Sequence, residues 1–463
     1  MSARAAIHER AVLLVDRIRS RMKSGATIPE AVIATGPAKK PPIKHLRWYI
    51  AGLLCLASQL NYLDRQTLSV LAGTIQKDLH LTDRDYSVIT FTFLWTYAAA
   101  YAASGFIVDR LGSRRSFLTF VSGWSLANVL HALARSLPGL TLCRSLLAVM
   151  EPANFPAGIK AVTEWFPVRE RALAVGIFNS GTAVGNALAV PVAAFLALHY
   201  GWRSAFVFTG ALGFVWVALW ARCYYLPQNH PRLGEQERLL IMSGREEETA
   251  AEKEKISSWQ ILKMPAAWGC MLARMLTDPI SYFLFFWTPK YLETERGFDL
   301  KHVGMYAWIP FVALTFGNLF SGACPRFLVS RGWSLNKARK RTMFFVSCGM
   351  LVSFFLLTKV STPFWAVAML AVVMFGHTAW GNITLPAEIF PKNVVGTVTG
   401  FGGCLGGIAG GLAQLAVARV IIQHGYTPVF ATCAVMYLVA FALVHLLVGE
   451  LGVIVRISPA RET

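Results

Sequence analysis

Apolar stretches of about 20 residues, parted by short polar breaks, run the length of the chain, and each is long enough to cross a bilayer as a helix. Such windows lie near 46–74, 86–108, 115–135, 138–161, 171–198, 203–225, 265–291, 301–324, 341–358, 363–387, 394–421 and 426–449. The expected fold class is an all-α integral membrane protein with twelve transmembrane helices. The longest polar interruption, 226–264, divides the spans six and six. The predicted organisation is a basic extension (1–45), a six-helix half (46–225), a linker (226–264), a second six-helix half (265–450) and a tail (451–463).

Composition agrees with the pattern. The chain is 55% hydrophobic and 15% charged, too little charge to cover a soluble protein of 463 residues. A net charge of +19 raises the question of nucleic acid. The Lys and Arg residues, however, crowd the alternate segments that share a side with both termini. By the positive-inside rule that side is the cytoplasm, so the excess is topology and no nucleic-acid partner is needed. The 8 cysteines lie in or beside apolar spans without a C-x-x-C pair, and read as small buried hydrophobes; no metal site is expected. In the extension, Ile7, Ala11, Leu14, Ile18 and Met22 share a face opposite Arg10, Arg17 and Arg21. That face suits the anionic inner leaflet; a dispensable tail, or initiation at Met22, is an equal reading.

The two sets of spans echo each other. "EWFP" at 164–167 recurs as "EIFP" at 388–391, and Gly176 and Gly400 each follow nine residues after the Pro. "GFIVDRLGSRR" after span two is echoed by "GACPRFLVSRG" after span eight. Duplicated halves of this kind place a substrate site between them near the midplane. "GIFNSGTAVG" in span five and "GTVTGFGGCLGGIAGG" in span eleven supply small residues for close helix approach.

"GFIVDRLGSRR" resembles the signature that the major facilitator superfamily carries between helices two and three, here Gly105, Asp109, Arg110, Gly112, Arg114 and Arg115. Within that superfamily the chain is most similar to the anion:cation symporters, and among them to bacterial hexuronate transporters. "NYLDRQTLSV", "PAGIKAVTEWFPVRERALAVGIFNSG", "RMLTDPISYFLFFWTPKYL" and "YAWIP" carry the resemblance. It implies a monomeric, multi-pass protein of the bacterial inner membrane that moves a sugar-acid anion together with protons, with no other cofactor. It also implies that Arg65 binds the carboxylate, with Asp64, Arg144 and Glu151 as its charged company. In the family, Asp109 and the signature's basic residues form a cytoplasmic charge network that holds one conformation. The second-half copy has Pro325-Arg326 where an acid is expected, so its network is in doubt.

The residues speak to the same point. A charge at bilayer depth is expensive and ordinarily faces a partner or a cavity. Arg144 and Glu151 are two helical turns apart and share a face, whereas the adjacent Asp64 and Arg65 cannot address one partner. Cross-helix pairs around a wet cavity fit these four; a purely structural network is the alternative. Arg65 keeps its charge and offers a planar fork to a carboxylate, while Asp64 and Glu151 can change charge, as a proton carrier must. In span seven, Arg274 and Asp278 are spaced for an intrahelical pair. His377, Trp380 and Asn382 in span ten suit sugar hydroxyls and ring faces, and Tyr97, Tyr101, Asn179 and Thr182 are further substrate-binding candidates.

There are departures from the family pattern. Ala148 stands where a Gly is common, and Pro152 directly after Glu151 is expected to kink that helix. Gly400 occupies a position that tends to be polar in galactonate carriers, which favours a hexuronate. Import of an aldonate, aldarate or aromatic acid, efflux of an acidic metabolite, and a non-transporting sensor remain as rival readings. The absence of a Walker A sequence and of H-E-x-x-H argues against an ATP-driven pump or a metalloenzyme.

Overall fold

The computed structural model describes residues 41–249, 258–390 and 392–451. The amphipathic face over Ile7–Met22 and the tail beyond 451 lie outside the described residues. Residues 41–44 and 231–234 form a small unit, joined by the parallel bridge Ile43–Leu233. The remaining described residues form one helical unit.

In chain order the helices are α1 (Leu46–Val70), α2 (Ala72–Leu79), α3 (Asp83–His131), α4 (Leu137–Met150), α5 (Asn154–Trp165), α6 (Val168–Tyr200) and α7 (Trp202–Cys223). The linker holds α8 (Glu235–Thr249) and α9 (Ser258–Leu262). Then come α10 (Pro265–Arg296), α11 (Leu300–Tyr306), α12 (Ile309–Ser330), α13 (Leu335–Lys359) and α14 (Pro363–Ala379). The last are α15 (Leu385–Ile389), α16 (Lys392–His424) and α17 (Thr427–Leu447). No strand occurs among the described residues.

Local chemistry sets the ends. Thr82 and Asp85 form a reciprocal capping box at the start of α3, and Ser136, Asp299 and Ser334 cap α4, α11 and α13 through their side-chain oxygens. Gly112, with φ of 75°, interrupts α3 where the sequence places the turn between spans two and three. At the α6–α7 turn, the Trp202 indole N–H and Arg203 donate to Asp78 at 2.9 and 3.0 Å. These bonds hold the Asp78 carboxyl below its ordinary range.

Among the described residues seven helices are long and apolar enough to cross a membrane, or up to eight if the bent pair Asp83–Tyr101 and Ala103–His131 is one span. The sequence pattern assigns two spans to α3, and three further expected spans fall on α1, on α4 with α5, and on α10. Those three carry Asp64 and Arg65, Arg144 and Glu151, and Arg274 and Asp278, so charge or a break lowers their apolar character. The count of twelve is consistent with this arrangement.

Glycine lets two helix pairs approach at backbone distance. On α6, Gly181 and Gly185 face the backbone of α1 at Cys55 and Gln59, where a Cβ would collide. On α16, Gly402, Gly403, Gly406 and Gly410 leave room for Arg274, Asp278 and Tyr282 of α10. At one end of the molecule α1–α3 meet α10. Gln66 Nε2 donates to the Phe285 carbonyl and the Tyr86 hydroxyl to the Phe286 carbonyl, both at 2.8 Å. Lys290 pairs with Asp83 and donates to Gln76 Oε1 at 2.6 Å, its side chain only 3% exposed. Toward the opposite end, Glu237 of α8 accepts from the backbone N–H groups of Leu46 and Arg47 at 3.0 and 3.2 Å and pairs with the Arg47 guanidinium at 2.6 Å. Arg47 also holds Glu170 of α6 at 2.8 Å. A carboxylate here satisfies helix-terminal N–H groups and complements the helix dipole.

Candidate functional site

The first charge cluster centres on Arg65. It sits late in α1, and Glu151 lies in the single 3-10 turn Glu151–Ala153 that joins α4 to α5, the break that Pro152 imposes. Arg65 donates to Glu151 Oε2 from Nε at 2.9 Å and from Nη2 at 2.8 Å; the Glu151 side chain is fully buried and that of Arg65 is 10% exposed. The guanidinium carbon lies 4.7 Å from the ring centres of both Tyr62 and Tyr97 and 5.5 Å from Phe93. Desolvated contacts of this type each add up to about 2 kcal/mol. Arg144, on the face shared with Glu151, donates from Nη2 to the Arg65 carbonyl at 2.9 Å and lies over the other neighbour, Phe93, at 4.3 Å. Its Nε and Nη1, and Oε1 of Glu151, are buried with no hydrogen-bond partner.

Asp64 points elsewhere, as adjacency to Arg65 requires. Its Oδ1 accepts from Asn128 Nδ2 at 2.7 Å, and the same amide reaches Thr209 Oγ1 at 2.6 Å. All three side chains are buried, so Asp64 binds α1 to α3 and α7 inside the bundle.

The second cluster is built on α10. Arg274 donates from Nε and Nη2 to Asp278 Oδ2 at 3.0 and 2.8 Å, the intrahelical pair that their spacing suggests, and from Nη1 to the Thr399 carbonyl at 3.0 Å. Asn382 donates to Thr277 Oγ1 at 2.7 Å and to Asp278 Oδ1 at 3.4 Å. Tyrosines bridge the clusters. Tyr97 stacks with Tyr101 at 6.1 Å, Tyr101 lies within electrostatic range of Arg274, and Tyr282 lies within range of Arg274, Asp278 and Arg65.

Other candidates are placed apart from these groups. Trp380 is fully buried, with its indole N–H on Ser347 Oγ at 2.8 Å and its ring against Tyr437, so it packs between helices. His377 Nδ1 is 2.5 Å from the Tyr437 hydroxyl. Asn179 is exposed on α6, and Thr182 bonds back to the Asn179 carbonyl at 2.8 Å; no hydrogen bond links either to a charge cluster among the described residues. In the signature, Asp109 pairs with Lys160 of α5 at 2.8 Å, Arg110 lies over Phe106, and Arg114 donates to the Ala221 carbonyl. Gly105 and Gly112 border open space, and no partner is found for Arg115 among the described residues. Asn128, Thr209, Phe93 and Lys290 were not legible as site residues. The one available signal was a polar side chain in an otherwise apolar span, at Asn128 and Thr209.

The family model described as Major Facilitator Superfamily matches residues 54–414. The chain is 32% identical over 398 residues to a hexuronate transporter of Escherichia coli (strain K12), covering 85% of this chain and 92% of that protein. It is 36% identical over 284 residues to a galacturonate transporter of Dickeya chrysanthemi, covering 61% and 82%. Against a D-galactonate transporter of Escherichia coli O6:H1 it is 27% identical over 431 residues, covering 90% and 98%. The fold matches the inward open structure of a xylose transporter from E. coli with a TM-score of 0.69 at 14% identity, covering 87% of this chain and 97% of that one.

Proposed function

Because the chain belongs to the Major Facilitator Superfamily and is a multi-pass membrane transporter of small organic acids rather than an enzyme, we propose that it is a proton-coupled symporter importing a hexuronate, such as glucuronate or galacturonate, by alternating access. The observation that carries this reading is the Arg65–Glu151 pair. A permanent cation with a planar fork is engaged by a carboxylate that a proton can neutralise. Substrate carboxylate and Glu151 then compete for one guanidinium, and protonation of Glu151 decides the competition. Tyr97, Tyr101, Tyr282 and Asn382, with the Arg274–Asp278 pair, offer hydroxyl, amide and ring contacts to the rest of a sugar acid.

In this reading the termini are cytoplasmic, the membrane is the bacterial inner membrane, and the monomer is the working unit. Protons load Glu151 and Asp64 from outside, Arg65 takes the anion, the two sets of helices rock, and both cargoes leave into the less acidic cytoplasm. The contacts of Lys290 with Asp83 and Gln76 lie at the end that this reading makes external, and they support an inward-facing member of the cycle. The relatives that carry galactonate keep an aldonate as the second substrate class. Gly400, exposed beside the Thr399 carbonyl that Arg274 holds and bordered by open space, leaves room in this reading for a larger sugar acid.

The test is uptake of radiolabelled glucuronate and galacturonate into proteoliposomes. An inward proton gradient should drive accumulation and a protonophore should abolish it. Accumulation driven instead by a sodium gradient at constant pH would overturn proton coupling.

A further inference from the structure

A cavity of about 390 Å³ opens between α12, α13 and α14, away from both charge clusters. Phe320, Cys324 and Leu328 line it along α12, Arg341 and Phe345 along α13, and Trp333 between the two helices. Positions 320 to 328 span about 12 Å of helix, and the walls are apolar, so the groove accepts a hydrocarbon chain rather than a solute.

The chain around Trp333 is basic. Arg341 and Lys337 flank the Trp333 ring at 4.8 and 5.1 Å from its centre. These two, with Arg326 and Arg331, have no carboxylate partner among the described residues. No Asp or Glu occurs between Asp299 and Glu388, and the nearby Glu450 faces Lys340. Arg339 is the basic residue of this stretch that pairs, with Glu388 at 3.2 Å, and it points into the bundle.

We propose that this groove binds one acyl chain of an anionic phospholipid, with the phosphate held by Lys337 and Arg341 and the chain lying against Phe320, Cys324 and Phe345. Trp333 lies between α12 and α13, and an indole at a span end suits the boundary of headgroup and hydrocarbon. Unpaired basic side chains beside a membrane-facing groove select an anionic headgroup over a zwitterionic one. A second copy of the chain is a poor occupant, because it would bring an equally basic rim against this one.

The experiment uses the full chain in mild detergent with two photoreactive lipids that carry the same diazirine acyl chain, phosphatidylglycerol and phosphatidylcholine. Labelled peptides are mapped by mass spectrometry. The expected result is labelling within residues 320–346, about tenfold stronger for phosphatidylglycerol. Lys337→Gln with Arg341→Gln should remove that preference while phosphatidylcholine labelling persists, and Cys324→Trp should reduce labelling by both lipids. These arms are read only on protein whose thermal unfolding matches the parent. Both basic side chains are exposed, so the double variant is expected to fold. Equal labelling by the two lipids, labelling unchanged by the basic-residue variant, or cross-linking between copies through Phe345→Cys in place of lipid labelling would each overturn the proposal.

Discussion

Arg65 directs two nitrogens at the same oxygen of Glu151, Oε2, at 2.9 and 2.8 Å, and leaves Oε1 of that carboxylate without a partner. A proton can therefore arrive at Oε1 without first displacing the guanidinium, and its arrival weakens the hold on Arg65. Glu151→Gln imitates that neutral state. We expect it to bind and exchange the anion with little dependence on pH, yet to lose uphill accumulation. Counterflow compared with gradient-driven uptake decides it, and retained accumulation would remove Glu151 from the coupling path. Glu151→Ala should instead cost about 3–5 kcal/mol of stability, since it leaves a buried cation uncompensated.

Arg65→Lys keeps the charge and loses both the planar fork and the stacking between Tyr62 and Tyr97. Affinity should fall at least about tenfold although the protein inserts normally. The concentration dependence of uptake measures it; a near-parental KM would take Arg65 out of the carboxylate site.

Asp64→Asn tests a buried carboxyl that sits apart from the anion anchor, against Asn128. If Asp64 carries a proton, the variant should exchange anion at near-parental rates and fail to concentrate it. A merely structural Asp64 predicts that exchange and accumulation fall together on matched amounts of folded protein.

Lys290→Met removes the contact between Asp83 and α10, leaving the more exposed Lys77–Glu293 pair, and should populate outward-open molecules. A single cysteine at Tyr97 in a cysteine-free background should then react faster with an impermeant thiol reagent added outside. Unchanged reactivity would mean that other contacts hold that end shut.

Gly181→Val drives a side chain into the α1 backbone at Cys55, whereas Gly176→Ala points into open space on the same helix. The first should lower stability by about 1–3 kcal/mol, and the second should leave it unchanged or raise it by up to about 1 kcal/mol. Thermal unfolding of the two variants gives the comparison, and equal losses would contradict the close α1–α6 crossing.

Much of this was legible in the sequence. The all-helical character, the break at Pro152 and the Arg274–Asp278 pair follow from local pattern and spacing. Partner choice did not. Helices that are apolar on every side give no periodicity that says which face meets a neighbour and which a cavity. Trp380 and Tyr97 look alike in sequence, yet one is sealed against Ser347 and Tyr437 and the other lies under Arg65. Asp64 could be recognised as buried, but Asn128 and Thr209 reach it from helices more than sixty residues away. Lys290 counts as a loop charge by its position near a span end, and tertiary packing is what encloses it.

Glu237 clips the linker helix α8 to the first turn of α1 through two backbone N–H groups and the Arg47 guanidinium, and Arg47 extends the clip to α6. The linker helix is therefore cargo of the first set of helices and not a neutral tether. A dye placed on its surface, at Leu239 (62% exposed), would ride with α1 and α6. Paired with a second dye on the exposed start of α13, at Leu335, it would turn the proposed rocking of one helix set against the other into an optical distance signal.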